Sequence, residues 1–175
     1  MADGPVAATQ ASTSDTSVRE ALEAVRRLVR ALRLGANRAR ESAGVSSAEL
    51  FILRALMDGG PAASLNELAA RTYTDQSSAS PVVERLRRRR LIRRERSAVD
   101  ARRVTIELTD TGRMLLARAP VPPQAGIVEA LQRLRPAERT GLARGLSRLI
   151  AEMGLSELKS AMLFEEPTRR RRTRD

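Results

Sequence analysis

The sequence predicts a mainly α-helical chain with one two-stranded β-hairpin set into it, an α+β fold. Three observations carry that expectation. Apolar residues recur every three or four positions in several long stretches, as on one face of a helix. Helix-starting residues stand at Ser46, Ser64 and Asp75, close enough together to punctuate a run of short helices. Val104, Ile106 and Leu108 then alternate with Thr105 and Glu107, the period of a half-buried strand.

Residues 1–17 are Ala, Ser, Thr, Asp and Gly with almost nothing apolar to bury, and read as a disordered arm. From Val18 the residues Val18, Leu22, Val25, Val29 and Leu32 draw one stripe along a helix, with Arg19, Arg26, Arg27, Arg30 and Arg33 off it. Such a seam suits a partner helix in the same chain or in a second copy. Its position outside the compact motif that follows favours the second copy, so residues 18–44 read as a dimerisation helix.

Ser46 and Glu49 form an SxxE capping box ahead of Leu50, Phe51, Leu53, Leu56 and Met57, which predicts a helix from about Ser47 to Asp58 stopped at Gly59 and Gly60. Ser64 and Glu67 repeat the box before a short helix with Leu65, Leu68 and Ala69 inward, and Thr72, Tyr73 and Thr74 interrupt it. Asp75 is an N-cap candidate for a third helix reaching about Arg89, with Ala79, Val82, Val83 and Leu86 on one face.

Leu91–Ser97 reads as extended, Ala98–Ala101 as a turn and Val104–Leu108 as the returning strand. Thr109 can cap a helix from Asp110 to Ala119, which Pro120, Pro122 and Pro123 break. Gln124–Leu134 starts another, with Ile127, Val128, Leu131 and Leu134 on one side. Pro136 suits the first position of a last long helix to Met153, in which Leu142, Leu146, Leu149 and Ile150 are apolar. Residues 113–155 are thus expected to hold C-terminal dimerisation helices, and 156–175 a mostly flexible basic tail.

Two short helices joined by a few residues, the second one basic and followed by a hairpin, have the form of a winged helix-turn-helix over residues 45–112. Charge agrees. The chain carries 32 basic residues against 21 acidic ones, a net charge of +11, and Lys159 is its only lysine. Pro81–Arg103 holds ten arginines against Glu84, Glu95 and Asp100, and Arg169–Asp175 holds five against one aspartate; the rest of the chain is neutral. A polyanion is the expected partner. The absence of His and Cys removes catalytic triads, thiolate chemistry and structural zinc, so neither an enzyme nor a cofactor is expected. No apolar run of membrane-spanning length exists, and the opening MADGPVAATQ has neither a basic leader nor an apolar stretch, so a cytoplasmic protein with no membrane partner is expected.

At LNELAARTYTDQSSASPVVERLRRRRLIRRERSAVDARRVTIELTDTG, residues 65–112, the sequence resembles the MarR family of winged-helix transcription regulators. LxELA, DxSxxS, LIRRE, and DxR followed by a strand ending in LTxxG coincide in order and spacing, and the likeness extends more weakly over 18–153. The resemblance implies a homodimer on a near-palindromic operator in double-stranded DNA, acting as a repressor released by a small organic effector. Nothing in the residues themselves names an effector. The dimer contacts would be Val18, Leu22, Val25, Val29 and Leu32 with Leu142, Leu146 and Leu149.

At the start of the recognition helix, Gln76, Ser77, Ser78 and Ser80 stand where unpaired backbone donors and the helix dipole meet a phosphate or a base edge. Gln76 suits adenine. Ser77 and Ser78 fit first-turn capping equally well. Arg85, Arg87 and Arg88 further along suit phosphates. The resemblance places Asp100 and Arg102 at the wing tip, with Arg103 beside them, for the adjacent minor groove. Three residues depart from the family pattern. Pro81 lies inside the recognition helix, where it should bend the helix or shift its start, and Tyr73 and Arg90 replace frequent glycines in left-handed turns. Two other readings compete with an operator-reading regulator: a weakly selective architectural DNA-binding protein, and a winged-helix protein-docking or dimerisation module.

Overall fold

The computed structural model describes residues 6–62, 64–96, 104–158 and 162. The chain divides into two compact units, Met1–Leu34 and Gly35–Asp175.

Helix α1 (Val6–Ala43) begins twelve positions before the Val18 start that periodicity marks, so residues 6–17, assigned to a disordered arm on composition, are helical. Apolar periodicity reports only where a helix has a face to bury. Once nucleated, a helix extends by one hydrogen bond per residue fixed, and the alanines at 7, 8 and 11 favour that extension. Within the first unit Val18, Leu22, Val25 and Val29 are exposed, and Leu32 is half-buried.

The second unit opens on the last turns of α1, which stop where Gly44 turns left-handed at φ 63°. Helix α2 (Ser47–Gly59) follows, and both halves of the expected capping box form: the Ser46 hydroxyl accepts from the Glu49 N–H and the Glu49 carboxylate accepts from the Ser46 N–H. At the start of helix α3 (Leu65–Arg71) the Ser64 hydroxyl accepts from the Glu67 N–H, and the Glu67 carboxylate accepts from Arg71 one turn along the helix.

Helix α4 (Gln76–Arg88) leads into β1 (Ile92–Arg96), which pairs antiparallel with β2 (Val104–Leu108), Ile92 opposite Leu108 and Arg94 opposite Ile106. The expected turn at 98–101 lies outside the described residues. Ala62, in the connector before α3, adds a bridge to the hairpin, trading hydrogen bonds of 2.9 and 2.8 Å with Ile106. The sequence around Ala62 has no strand signal, because one bridge needs no side-chain alternation.

Leu50, Ile52, Leu53 and Leu56 of α2, Leu68 of α3, Val82, Val83 and Leu86 of α4, and Ile92, Ile106 and Leu108 of the hairpin close one apolar core. Thr109 caps α5 (Asp110–Arg118) as expected, accepting from the Gly112 N–H. Helix α6 (Pro123–Arg133) starts one residue before the expected Gln124, with proline in the first turn where its missing donor is harmless. Helix α7 (Pro136–Glu152) is exposed along its whole length, Leu142, Leu146, Leu149 and Ile150 included. Met162, inside the segment read as a flexible tail, is buried in the core. The apolar run over residues 161–164 is too short to show a helical or strand period that would announce it. Among the described residues no helix is long and apolar enough to cross a membrane.

The joint between α4, β1 and α5 is tight. The Thr109 N–H donates to the Leu91 carbonyl at 3.1 Å and the Thr109 hydroxyl to the Arg90 carbonyl at 2.8 Å. A Cβ on Gly112 would lie 2.2 Å from the Leu91 carbonyl oxygen, which only a shift of α5 or β1 relieves. Gly112→Ala is therefore expected to destabilise the fold by about 1–3 kcal/mol, seen as a lower urea midpoint at constant slope. An unchanged midpoint would mean that the joint is loose.

Candidate nucleic-acid interface

Both helices of the helix-turn-helix end on the same backbone device. After α3, the Tyr73 N–H donates to the Ala70 carbonyl and the Thr74 N–H to the Ala69 carbonyl, with Tyr73 at φ 51°. After α4, the Arg90 N–H donates to the Arg87 carbonyl and the Leu91 N–H to the Leu86 carbonyl, with Arg90 at φ 57°. Both are Schellman ends, in which the left-handed residue is usually glycine. A side chain there costs roughly 1–2 kcal/mol, so the left-handed turns expected at Tyr73 and Arg90 are present and are held by their surroundings. Tyr73 is also tied by its hydroxyl, which accepts from the Gln132 amide of α6 at 2.9 Å.

Asp75 starts α4. Its carboxylate accepts from the Ser77 hydroxyl at 2.6 Å, the Ser78 N–H at 2.8 Å and the Ser78 hydroxyl at 3.0 Å. The Ser77 hydroxyl, followed by the Ser78 N–H, holds the Asp75 carboxyl well below the usual range, at about 2. Of the four residues expected to meet DNA at this helix start, Gln76 and Ser77 are exposed, Ser80 is half-buried and Ser78 is buried. Ser78 is thus a cap partner rather than a presented hydroxyl. Pro81 lies in the second turn, and the helix still starts at Gln76, so it does not shift the start; it removes the donor that would meet the carbonyl of residue 77.

Burial of Ala79, Val82, Val83 and Leu86 fixes the rotation of α4. With 100° per residue, the opposite face runs through Ser77, Pro81, Glu84 and Arg88, with Ser80 and Arg87 towards one edge. Arg85 falls on the other edge, towards α2, where it lines an open cavity of about 440 Å³ with Arg40, Arg88 and Arg89. Arg89 pins this end of α4 to α2, donating to the Gly44 carbonyl at 2.9 Å and to Glu49 at 3.4 Å.

Glu84, absent from the expected site, stands in the middle of the outward face. Arg87 grips it with two hydrogen bonds of 2.9 and 2.8 Å, and Arg88 adds a third at 3.0 Å. Arg87 first, and Arg88 after it, hold the Glu84 carboxyl at about 2. The i,i+3 and i,i+4 spacing was the available signal. On the wing, Arg93 crosses the ladder to Glu107 at 2.8 Å. Asp100, Arg102 and Arg103, expected at the wing tip, lie outside the described residues, as do the tail arginines.

Behind the turn, Phe51, Thr72, Tyr73, Gln124, Val128 and Met162 line most of a cavity of about 170 Å³ whose lining has no charged side chain. Gln124, on α6, accepts a short hydrogen bond from the Ser47 hydroxyl on α2.

Residues 43–103 match the sequence model of the MarR family. The HTH-type transcriptional repressor NicR of Pseudomonas putida is 35% identical over 107 residues, a match covering 61% of this chain and 66% of that protein, just under two thirds of its length. Among solved structures, Bordetella bronchiseptica BpsR, whose DNA binding is regulated by 6-hydroxynicotinic acid, is 29% identical at a TM-score of 0.50, over 75% of this chain and 91% of that one. The MarR family transcription regulator SP03579 shares the fold at a TM-score of 0.52 and 20% identity, over 83% of this chain and 97% of that one.

Because Asp75 is ionised far below its unfolded value near 4, its contribution to stability is complete above about pH 4 and is lost as the pH falls towards 2. Asp75→Ala is expected to lower the melting temperature at neutral pH by a few degrees, and Asp75→Asn, which keeps an oxygen for the Ser78 N–H, by less. The gap between wild type and Asp75→Asn should narrow near pH 2. Melting curves across that range decide it, and a gap independent of pH would refute the charged cap.

Proposed function

We propose that the chain is a member of the MarR family of winged-helix transcription regulators, a sequence-specific, double-stranded DNA-binding repressor that works as a homodimer on a near-palindromic operator in the cytoplasm. The observation that carries this reading is the rotation of α4. Its apolar row is consumed by the core, which leaves Gln76, Ser77 and Ser80 outward at one end and Arg87 and Arg88 at the other. Gln76 is assigned to a base edge, as its amide can pair with adenine in the major groove. The arginines are assigned to the backbone, with Asp100, Arg102 and Arg103 reaching the neighbouring minor groove from the wing.

Dimerisation is supported by the exposed apolar rows on α1 and α7: Val18, Leu22, Val25 and Val29, and Leu142, Leu146 and Leu149. Faces of this kind are rarely left to water in a stable monomer. Two-fold symmetry then sets the two recognition helices on matching half-sites about one or more helical turns apart. The uncharged cavity behind the turn is assigned to a small organic effector, a reading supported by the regulation of BpsR by 6-hydroxynicotinic acid.

Fluorescence anisotropy on DNA flanking the chain's own coding sequence, against a shuffled duplex at fixed near-physiological salt, tests this. Specific binding is expected to be roughly 10³-fold or more tighter, to lose its preference at one base pair per half-site in Gln76→Ala, and to weaken when 6-hydroxynicotinic acid or a neutral phenol is added. A ratio near one on this and on genome-selected fragments would overturn the reading in favour of an architectural protein.

A further inference from the structure

Resting on the DNA-binding reading above, we propose that Glu84 is a specificity-determining positioning residue: it clasps Arg87 and Arg88 on the outward face of the recognition helix and so withholds them from indiscriminate phosphate contact.

A carboxylate at the centre of a DNA-facing surface is unfavourable on Coulomb grounds, since it faces the phosphates it would repel. Here it faces them already engaged. Both oxygens of Glu84 accept from Arg87, at 2.9 and 2.8 Å, and one accepts again from Arg88 at 3.0 Å. The side chain is only about one-third exposed, against 48% for Arg87 and 74% for Arg88, so the carboxylate sits low on the helix with the guanidiniums above it. Glu84 stays ionised throughout the physiological range, so its charge is available to both arginines at any pH at which DNA would be bound.

Two consequences follow from this geometry. A guanidinium held through two of its nitrogens has its plane fixed, and its remaining N–H groups point in one direction, the pre-organisation that bidentate recognition needs. Held arginines also cannot swing freely to whichever phosphate is nearest. In a chain with ten arginines in 23 residues, non-specific attraction is already ample. Selectivity depends on keeping some of that charge from binding every sequence equally, because the specificity ratio falls when the non-specific term rises. No other carboxylate stands on this face of α4: Glu84 is the only acid in the helix.

The test compares wild type with Glu84→Gln and Glu84→Ala. Glutamine keeps the shape and an acceptor oxygen but loses the charge. Each protein is taken through selection of duplexes from a random library, then titrated on the selected duplex and on a shuffled one at several salt concentrations, with melting curves as the control for folding. Released arginines should bind the shuffled duplex several-fold more tightly, reduce the specificity ratio about ten-fold, and steepen the slope of log affinity against log salt by about 0.9 for each arginine freed. Arg87→Ala, Arg88→Ala added to Glu84→Gln should return the slope to the wild-type value or below.

An unchanged slope and ratio in a folded Glu84→Gln protein would overturn the proposal. So would a change of the preferred base at one position with the slope unaltered, which would make Glu84 itself a base contact, since a carboxylate accepts from cytosine and an amide pairs with adenine. If wild type selects no sequence at all, the operator-reading function fails first and this inference fails with it, and that result is distinct from selection by wild type that the variants retain.

Discussion

Val82, Val83 and Leu86 are fully buried, and with Ala79 they lock α4 against α2 and α3. Burying three such side chains is worth roughly 5–9 kcal/mol, comparable to the whole net stability of a small domain. No polar contact on α4 approaches that sum. The rotation of the recognition helix is therefore set from inside, and every outward residue stands where core packing leaves it. Helix ends then fix the length: the Asp75 cap at one side and the Arg90 turn at the other leave three and a half turns between them. A substitution in the apolar row would turn or loosen the face that meets a partner, even though no residue of that row touches the partner.

Given that rotation, charge is distributed with restraint. Surface ion pairs add little stability in water, because solvent screens them and the side chains lose freedom. Their value here lies in geometry. Arg71 pairs with Glu67 and donates to the carbonyl of Gly60, Arg89 ties α4 to the α1–α2 junction, and Arg93 spans the wing ladder to Glu107. The basic block is thus partly structural arginine and partly arginine available to a polyanion. Net charge alone could not separate the two, since a formal count assigns every guanidinium the same weight.

Much of the fold was legible in the sequence where a local rule has one outcome. Ser46, Asp75 and Thr109 announce their helices because a short oxygen side chain ahead of an apolar row has few other uses. Val104–Leu108 announces a strand because alternation admits no helix. Features set by distant partners were not legible. The α1 start lies in a stretch without apolar periodicity, Ala62 pairs with a strand more than forty residues away, and Met162 reaches the core from beyond the last helix. On α4, the outward positions of Gln76 and Arg88 were readable from helical spacing, but which serine faces inward was not: Ser77 and Ser78 are neighbours, and a rotation of 100° separates an exposed hydroxyl from a buried one. Glu84 was overlooked for a related reason. A basic segment draws attention to its cations, and an acid among them looks like dilution until its hydrogen bonds are seen.

Under the proposed function, an effector in the uncharged cavity would act at the turn before α4. Tyr73 sits in a left-handed conformation that disfavours a side chain, yet its hydroxyl is held by Gln132 of α6, so strain at the turn and the position of α6 are linked through one bond. The uncharged cavity shares Thr72, Tyr73 and Thr74 with that turn, and Gln124, Ile127 and Val128 with α6. A molecule that fits the cavity equally well in every conformation changes nothing, however tightly it binds. To release DNA it must prefer one spacing of α6 and the turn over another, and the spacing that Asp75 and the start of α4 can follow is limited by the same buried row that fixes the helix. An effector would therefore work by displacing α4 as a rigid body with its core partners, or by loosening the Tyr73–Gln132 tie, and not by rotating the recognition helix about its own axis. Rotation would expose Val82, Val83 and Leu86, and the loss of their burial exceeds the roughly 1–3 kcal/mol that allosteric coupling typically supplies.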